Sequence, residues 1–157
     1  MGITESGTLH HTCFVVHDVE KSAAALAESG IGPWGVWTIA PEVTTVRGQA
    51  VPFSFRIAFA TVGDSSLELL APHTGESVYV EHLQEHGEGF HHTCLAYASR
   101  EALRDAKAEL LRQGRELVQG GDMGEGGEFC YFAIPELGSL LELLFVTDMP
   151  PPETTIG

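Results

Sequence analysis

Apolar and polar positions along the chain alternate in a way that predicts short strands and two longer helices. Strands are predicted where β-branched and aromatic residues alternate with polar ones, and helices where small apolar residues follow a capping side chain and end at glycine. The predicted strands are 11–17, 34–39, 53–62, 66–71, 91–98, 115–118, 129–134 and 139–145. The helices are predicted to begin after the caps Asp18 and Ser99 and to run to about Ser29 and Arg112. Each half of the chain is therefore predicted to form a strand, a helix and three strands.

Two short segments recur along the chain, which indicates a duplication. Residues 9–16 read LHHTCFVV and residues 90–97 read FHHTCLAY, while residues 66–70 read SLELL and residues 139–144 read SLLELL. His92 thus corresponds to His11, and Glu142 corresponds to Glu68. We predict a single α+β domain, 1–157, made of two βαβββ modules. The modules are expected at about 9–72 and 90–147.

The segments outside these modules carry weaker signals. Residues 73–89 are predicted to be a linker that contains a short helix, Val78–His86. The glycine-rich stretch 120–127 is expected to be a mobile turn. The tail, 148–157, has three consecutive prolines and is expected to be poorly ordered.

The repeated segments carry the candidate chemistry. Successive side chains of a strand point to opposite faces of the sheet, so each glutamate lies opposite flanking leucines that are expected to pack against helices. A carboxylate buried mid-strand costs on the order of several kcal/mol unless it is paired or bound to a cation. Two imidazoles and two carboxylates can bind Zn, Ni, Co, Mn or Fe. The predicted ligands of one divalent metal ion are His11, Glu68, His92 and Glu142.

Less specific interpretations apply to each of these residues taken singly. A strand histidine is commonly hydrogen-bonded or exposed, and a glutamate beside leucines can lie on a solvated face. The recurrence of both residue types in both modules favours the metal site. By strand alternation, His10 and His91 fall on the face that is expected to pack against the helices. The second histidine of each doublet is therefore predicted to be the ligand. The remaining histidines are predicted to lie on the surface: His17, His73, His82 and His86.

Further side chains are predicted to take part in the site. Glu142 is the preferred catalytic base and Glu68 its counterpart, since a carboxylate that loosens from a metal becomes a positioned base. The predicted substrate contacts are Cys13, Cys94, Phe53, Phe55 and Tyr131.

Composition narrows the possible partners and location. The chain has 8 Lys and Arg against 22 Asp and Glu, a net charge of −14, which disfavours nucleic acid and anionic membrane surfaces as partners. No apolar run approaches the roughly 20 residues of a membrane span. The N-terminal residues do not resemble a secretion signal, so a cytoplasmic protein is expected. Three cysteines, an odd number, are expected to be free thiols.

The segments HHTCFVVHDVEKS, GEGFHHTCLAY and GSLLELL resemble the vicinal oxygen chelate superfamily, over about residues 9–147. This superfamily includes glyoxalase I, methylmalonyl-CoA epimerase, extradiol dioxygenases and antibiotic-resistance binding proteins. The resemblance implies that the paired βαβββ modules form a cup-shaped mixed sheet around a metal site, with ligands on the first and fourth strands of each module. It is greatest to the epimerase branch, but the stretch 43–55 has no carboxylate where the epimerases have a second catalytic glutamate.

These observations predict a metal-dependent isomerase, epimerase or lyase that acts on a small carbonyl compound through a metal-stabilised enolate. The alternatives are an Fe(II)-dependent extradiol-type dioxygenase and a small-molecule binding or resistance protein. In the latter, aromatic side chains would stack on the ligand: Trp34, Trp37, Phe53, Phe55 and Tyr131. A homodimer is predicted, because open sheet edges are usually covered and the superfamily resemblance implies dimers, with one chain supplying all four ligands of each site.

Overall fold

The computed structural model describes residues 2–157, which form one eleven-stranded mixed sheet and four α-helices. The strands are β1 (Gly7–Val15), β2 (Trp34–Ile39), β3 (Val43–Val46), β4 (Gln49–Ala50), β5 (Ser54–Val62), β6 (Ser65–Thr74), β7 (Gly89–Tyr97), β8 (Leu117–Asp122), β9 (Gly127–Ile134), β10 (Ser139–Val146) and β11 (Thr154–Ile156). The helices are α1 (Ile3–Ser6), α2 (Val19–Glu28), α3 (Val78–His86) and α4 (Arg100–Arg112).

The sheet is built from two units with the same connectivity. Its strand order is β11-β2-β5-β6-β1-β7-β10-β9-β8-β3-β4. β1 and β7 pair antiparallel at the centre, and each pairs on its other side with the parallel last strand of its own unit, β6 or β10. The predicted α+β class and the predicted curled mixed sheet are confirmed.

The helices begin where the sequence placed their caps. The Asp18 carboxylate accepts a hydrogen bond from the Lys21 amide, and the Ser99 hydroxyl accepts one from the Ala102 amide. The Ser77 hydroxyl caps α3 in the same way. These side chains satisfy amide groups that have no partner within the first helical turn.

Buried apolar side chains form three clusters against the faces of the sheet. α2 packs on one half through Ala23 and neighbouring residues, and α4 packs on the other half through Leu103. Both helices therefore cover the convex face. α3 instead lies against the concave face, where Tyr79 is fully buried between strands of both units. This helix fills one end of the cup.

The glycine-rich stretch 120–127 is more regular than expected from the sequence. β8 continues through Asp122, and Gly124–Gly126 form one 3₁₀ turn before β9. The Phe129 ring packs directly over Gly121, where a Cβ would overlap it. The glycine composition here reflects close packing inside a strand pair, so the predicted mobile turn was wrong.

The tail is also ordered, contrary to the prediction. Its last residues form β11, which pairs antiparallel with β2. The Trp37 indole donates a hydrogen bond of 2.9 Å to the Pro150 carbonyl, and Glu153 forms an ion pair with Arg56. Long-range pairing thus orders a segment whose local composition favours disorder. We call residues 147–157 the C-terminal strap, because they cross from the end of β10 to the far edge of β2.

The insert between β2 and β5 forms the hairpin β3–β4, which pairs with β8 of the second unit. No strand was predicted there. Among residues 2–157, no helix is both long and apolar enough to cross a membrane.

Candidate metal centre

The strand register places the four predicted ligands around the two central strands. His11 on β1 and Glu142 on β10 flank Cys94, while Glu68 on β6 and His92 on β7 flank Cys13. Residues directly opposite each other on paired strands share a face, so all of these side chains lie on the concave side.

The side chains converge on one point. His11 Nε2 lies 3.2 Å from His92 Nε2, 3.4 Å from Glu68 Oε1 and 3.1 Å from Glu142 Oε2. His92 Nε2 lies 3.8 Å from Glu68 Oε1 and 2.9 Å from Glu142 Oε2. Four donor atoms bound to one cation at about 2.1 Å are separated by roughly 3.0–3.4 Å when they are neighbours. Four of the five observed separations lie at or close to this range, and the His92–Glu68 separation of 3.8 Å is longer.

The burial of these four side chains also favours a bound cation. His11, Glu68, His92 and Glu142 are each at most 5% exposed. Glu68 Oε1 and Glu142 Oε2 are buried and have no hydrogen-bond donor among the described residues under the usual geometric criteria. A buried carboxylate oxygen without a partner costs on the order of several kcal/mol, which a bound cation would offset.

The two carboxylates differ in their electrostatics. Burial raises the pKa of Glu68 above its ordinary value, and the two histidines offset this only in part. Burial acts on Glu142 in the same direction, but the close imidazoles of His11 and His92 outweigh it and hold the pKa of Glu142 below its ordinary range. For His11, burial lowers the pKa, but the attraction of Glu68 and Glu142 is greater and the pKa is raised.

The cysteines near the centre are thiols. All three cysteines are free and buried, as predicted. Burial and the neighbouring glutamates raise the pKa of the Cys13 and Cys94 thiols well above the usual value. Cys94 lies within 4.8 Å of donor atoms of His10 and His11. Because metal binding requires the thiolate, this second group is a poorer site than the two histidines with the two glutamates.

A β-bulge lies at each histidine doublet, a feature that strict alternation misses. His10 is the additional residue of β1 between Leu9 and His11, and His91 is the corresponding additional residue of β7. His10 Nδ1 lies 2.7 Å from His11 Nδ1, and His91 Nδ1 lies 2.7 Å from His92 Nδ1. The prediction that the first histidines face the helices was therefore wrong, because a bulge places two consecutive residues opposite one.

These contacts give each candidate ligand an outer partner. The hydrogen bond made by one ring nitrogen of a histidine fixes which tautomer the other nitrogen presents. Burial lowers the pKa of His10, and lowers that of His91 well below the usual value, which favours the neutral ring that can accept a hydrogen bond. With the proton of each ligand imidazole on Nδ1, Nε2 is free to bind a cation. The duplicated doublet HH was the sequence signal for this pairing.

The other histidines are mostly on the surface. His17, His73 and His86 are exposed, as predicted. His82 is only partly exposed, because its ring packs against His91 with centroids 5.0 Å apart.

A small cavity adjoins the candidate centre, with a volume of about 60 Å³. His10, His11, Glu68 and Glu142 form its polar wall. Its other lining residues are Ile39, Phe55, Ile57, Phe59, Met123, Phe129, Leu144, Val146 and Met149.

Of the five predicted substrate contacts, Phe55 lines this cavity. Cys13 and Cys94 lie between the ligand residues and are fully buried. Phe53 packs on Tyr79, and the Tyr131 hydroxyl is hydrogen-bonded to the Tyr79 hydroxyl at 2.8 Å. The predicted contacts with substrate stay predictions.

Comparisons with known proteins agree with the fold. The sequence pattern of the glyoxalase/bleomycin resistance protein/dioxygenase superfamily matches residues 10–132. No curated protein sequence matches the chain. A hypothetical protein from Bacillus halodurans has a similar structure, with a TM-score of 0.60 and 22% identity over 92% of this chain and 98% of that one.

Methylmalonyl-CoA epimerases are also similar in structure. The enzyme from Mycobacterium tuberculosis gives a TM-score of 0.59 at 20% identity, over 89% of this chain and 88% of that one. A variant of the Streptomyces coelicolor enzyme in complex with 2-nitronate-propionyl-CoA gives 0.55 at 20% identity, over 89% of this chain and 97% of that one. At these identities the likeness concerns the fold.

The fold and the site together define a protein of paired βαβββ units with a candidate metal centre between them. The chain belongs to the glyoxalase/bleomycin resistance protein/dioxygenase superfamily, as its sequence motifs predicted.

Proposed function

We propose that the protein is a metal-dependent isomerase, epimerase or lyase that acts on a small carbonyl compound. The observation that carries this proposal is the convergence of the His11 and His92 imidazole nitrogens with carboxylate oxygens of Glu68 and Glu142, beside a cavity that His11, Glu68 and Glu142 line. A divalent cation held there would polarise a carbonyl group and stabilise the enolate formed when a neighbouring proton is removed.

The proposed ligands are His11, Glu68, His92 and Glu142. His10 and His91 orient the two imidazoles, and the apolar cavity wall limits access of water to the reacting carbon. Exclusion of water strengthens electrostatic interactions inside a site. The superfamily and the epimerases of similar fold support this general class of reaction.

One carboxylate must accept the proton. The sequence-based preference was Glu142, but we propose Glu68, whose Oε1 lies farther from both imidazoles, at 3.4 and 3.8 Å. Glu142 Oε2 is held at 3.1 and 2.9 Å from the same atoms. The less tightly held carboxylate can turn toward the substrate while Glu142 keeps the cation in place.

Metal analysis of the purified protein tests the ligand set. We expect the native protein to retain one divalent ion, and His11→Ala and Glu142→Ala to lose it. His17→Ala, a variant of an exposed histidine, is the control and should retain the ion. Full occupancy in both ligand variants would contradict the proposed centre.

Proton exchange tests the chemistry. Incubation of the metal-loaded protein with 2-oxobutyrate and related 2-oxo acids in deuterated water should introduce deuterium next to the carbonyl group. At saturating metal, Glu68→Gln should slow exchange by about 100-fold or more, as expected for loss of a general base. Exchange lost in Glu142→Gln but retained in Glu68→Gln would assign the base to Glu142. No exchange with any bound acid, together with oxygen uptake by the Fe(II) form, would favour a dioxygenase.

We also propose a homodimer with one complete site in each chain. The two ends of the sheet, β11 and β4, each leave one edge without a strand partner within the chain, and such edges are usually covered. All four proposed ligands converge within a single chain. Mixing His11→Ala with Glu142→Ala should therefore restore no metal binding.

A further inference from the structure

The cavity beside the candidate centre is apolar apart from the proposed ligands and His10. Every other lining residue has an aliphatic, aromatic or thioether side chain. Both units contribute to this wall, since Phe55 of β5 meets Phe129 of β9 with ring centroids 5.9 Å apart. Such a wall stabilises apolar groups and offers no hydrogen bond to a polar one.

The C-terminal strap closes part of the same cavity. Met149 belongs to its lining, and the strap is anchored on both sides of this residue. Thr147 donates hydrogen bonds to backbone carbonyls of the 3₁₀ turn before β9, and the Pro150 carbonyl accepts one from Trp37. The volume of this cavity is about 60 Å³. Typical ligand pockets are several times larger.

Positive charge is absent from this wall. Among residues 2–157, no lysine or arginine lines the cavity. The two arginines of the first unit form ion pairs elsewhere, Arg47 with Glu81 and Arg56 with Glu20 and Glu153. A second anionic group on a substrate would lose its hydration in the cavity and gain no counter-charge.

We infer that the substrate of the proposed metal centre is a carbonyl compound of few atoms whose non-chelating part is apolar and carries no second charge. This inference rests on the proposed function. An acyl-CoA handle, with its phosphates, does not match the cavity.

Simple hydroxamates provide the test, because they bind metal ions through two adjacent oxygen atoms. Acetohydroxamate, isobutyrohydroxamate and malonomonohydroxamate share this group and differ in an apolar or carboxylate end. Affinity for the zinc-loaded and nickel-loaded full chain is measured by calorimetry. Each buried methyl or methylene group adds about fourfold in affinity, so isobutyrohydroxamate, which has two more such groups, should bind about 15-fold tighter than acetohydroxamate. Malonomonohydroxamate should bind at least about tenfold more weakly than isobutyrohydroxamate.

A charge variant strengthens the test. Met149→Lys places a cation at the strap, and we expect it to raise the affinity for malonomonohydroxamate and lower that for isobutyrohydroxamate. Leu137→Lys, on an exposed turn at 61% exposure, is the matched control and should change neither. Equal or tighter binding of malonomonohydroxamate by the native protein would overturn the inference. Failure of all three hydroxamates to bind the loaded protein would instead contradict the proposed metal centre.

Discussion

In both halves of the chain, the sequence HHTC places a β-bulge at its first histidine and a candidate metal ligand at its second. The Nδ1 atoms of the paired rings are 2.7 Å apart in each doublet, and the ring centroids are 5.0 Å apart in each. The duplication has therefore preserved the local geometry of the strand.

The surroundings of the two doublets differ. His10 packs against Phe59 and lines the inner cavity. His91 is only 5% exposed, packs against Tyr79 of α3, and borders a separate outer cleft of about 530 Å³. α3 comes from the segment between the repeats and has no counterpart in the other half. A duplicated strand can thus repeat the position of a ligand, while elements outside the repeat decide which of its neighbours can reach a substrate.

The two halves are expected to differ most in how much their carboxylates, Glu68 and Glu142, contribute to metal affinity. Glu142→Gln should weaken metal binding by more than about 100-fold, and Glu68→Gln by only about 10-fold, as little as the loss of an outer partner costs, because Glu68 is the ligand held less tightly. Glu142 lies closer to both imidazoles, at 2.9 and 3.1 Å, and its anionic form is favoured. Titration against a competing chelator gives both affinities, with the exposed Glu101→Gln as control. Equal losses would show that the halves hold the cation equivalently.

Loss of the outer histidines should have the next largest effect. His10→Leu and His91→Leu should each weaken metal binding by about 10-fold to 100-fold, because the ligand imidazole loses the acceptor that fixes its tautomer. His10→Asn and His91→Asn should restore most of this affinity, since an amide oxygen can accept the same hydrogen bond. The visible absorption of the cobalt-loaded protein should change in the leucine variants.

The two leucine variants also distinguish the surroundings of His10, which lines the inner cavity, from those of His91, which packs against α3. At saturating metal, His10→Leu should alter the affinity for acetohydroxamate, whereas His91→Leu should leave it unchanged. If the leucine variants lower the Tm but leave the cobalt spectrum and the metal affinity unchanged, the outer histidines support only the fold.

The pH dependence of metal binding should give the smallest effect, at most about tenfold per pH unit for each proton displaced. The pKa of His11 lies above its usual value of 6.5, so protons compete with the metal already above that pH. In the metal-free protein, the stability contributed by this shift is complete below pH 6.5 and is lost as pH rises through the folded pKa.

Added metal should therefore raise the Tm more as the pH increases from 6 to 8. Thermal unfolding with and without zinc at each pH measures this change. A metal-induced rise in Tm that is constant or decreases over this range would show that protonated His11 does not oppose binding.

Much of the candidate site could be predicted from the sequence. His11, Glu68, His92 and Glu142 share a face because strand alternation and ladder pairing are regular between β1, β6, β7 and β10. His10 and His91 were misplaced because a bulge adds one residue without changing the apolar pattern around it. Their doubled sequence was visible, but the side of the sheet to which they turn depends on the partner strand.

The sequence by itself determined the two βαβββ units, the caps of their helices and the four candidate ligand residues, because each follows from local periodicity or from a repeated segment. Only the tertiary structure decided that the insert between β2 and β5 pairs with the other unit, that the strap lines part of the cavity, and that α3 packs against His91. These contacts join residues that are far apart in the chain. Their free energy comes from strand pairing and from burial of apolar surface between distant segments, which the local sequence pattern does not encode.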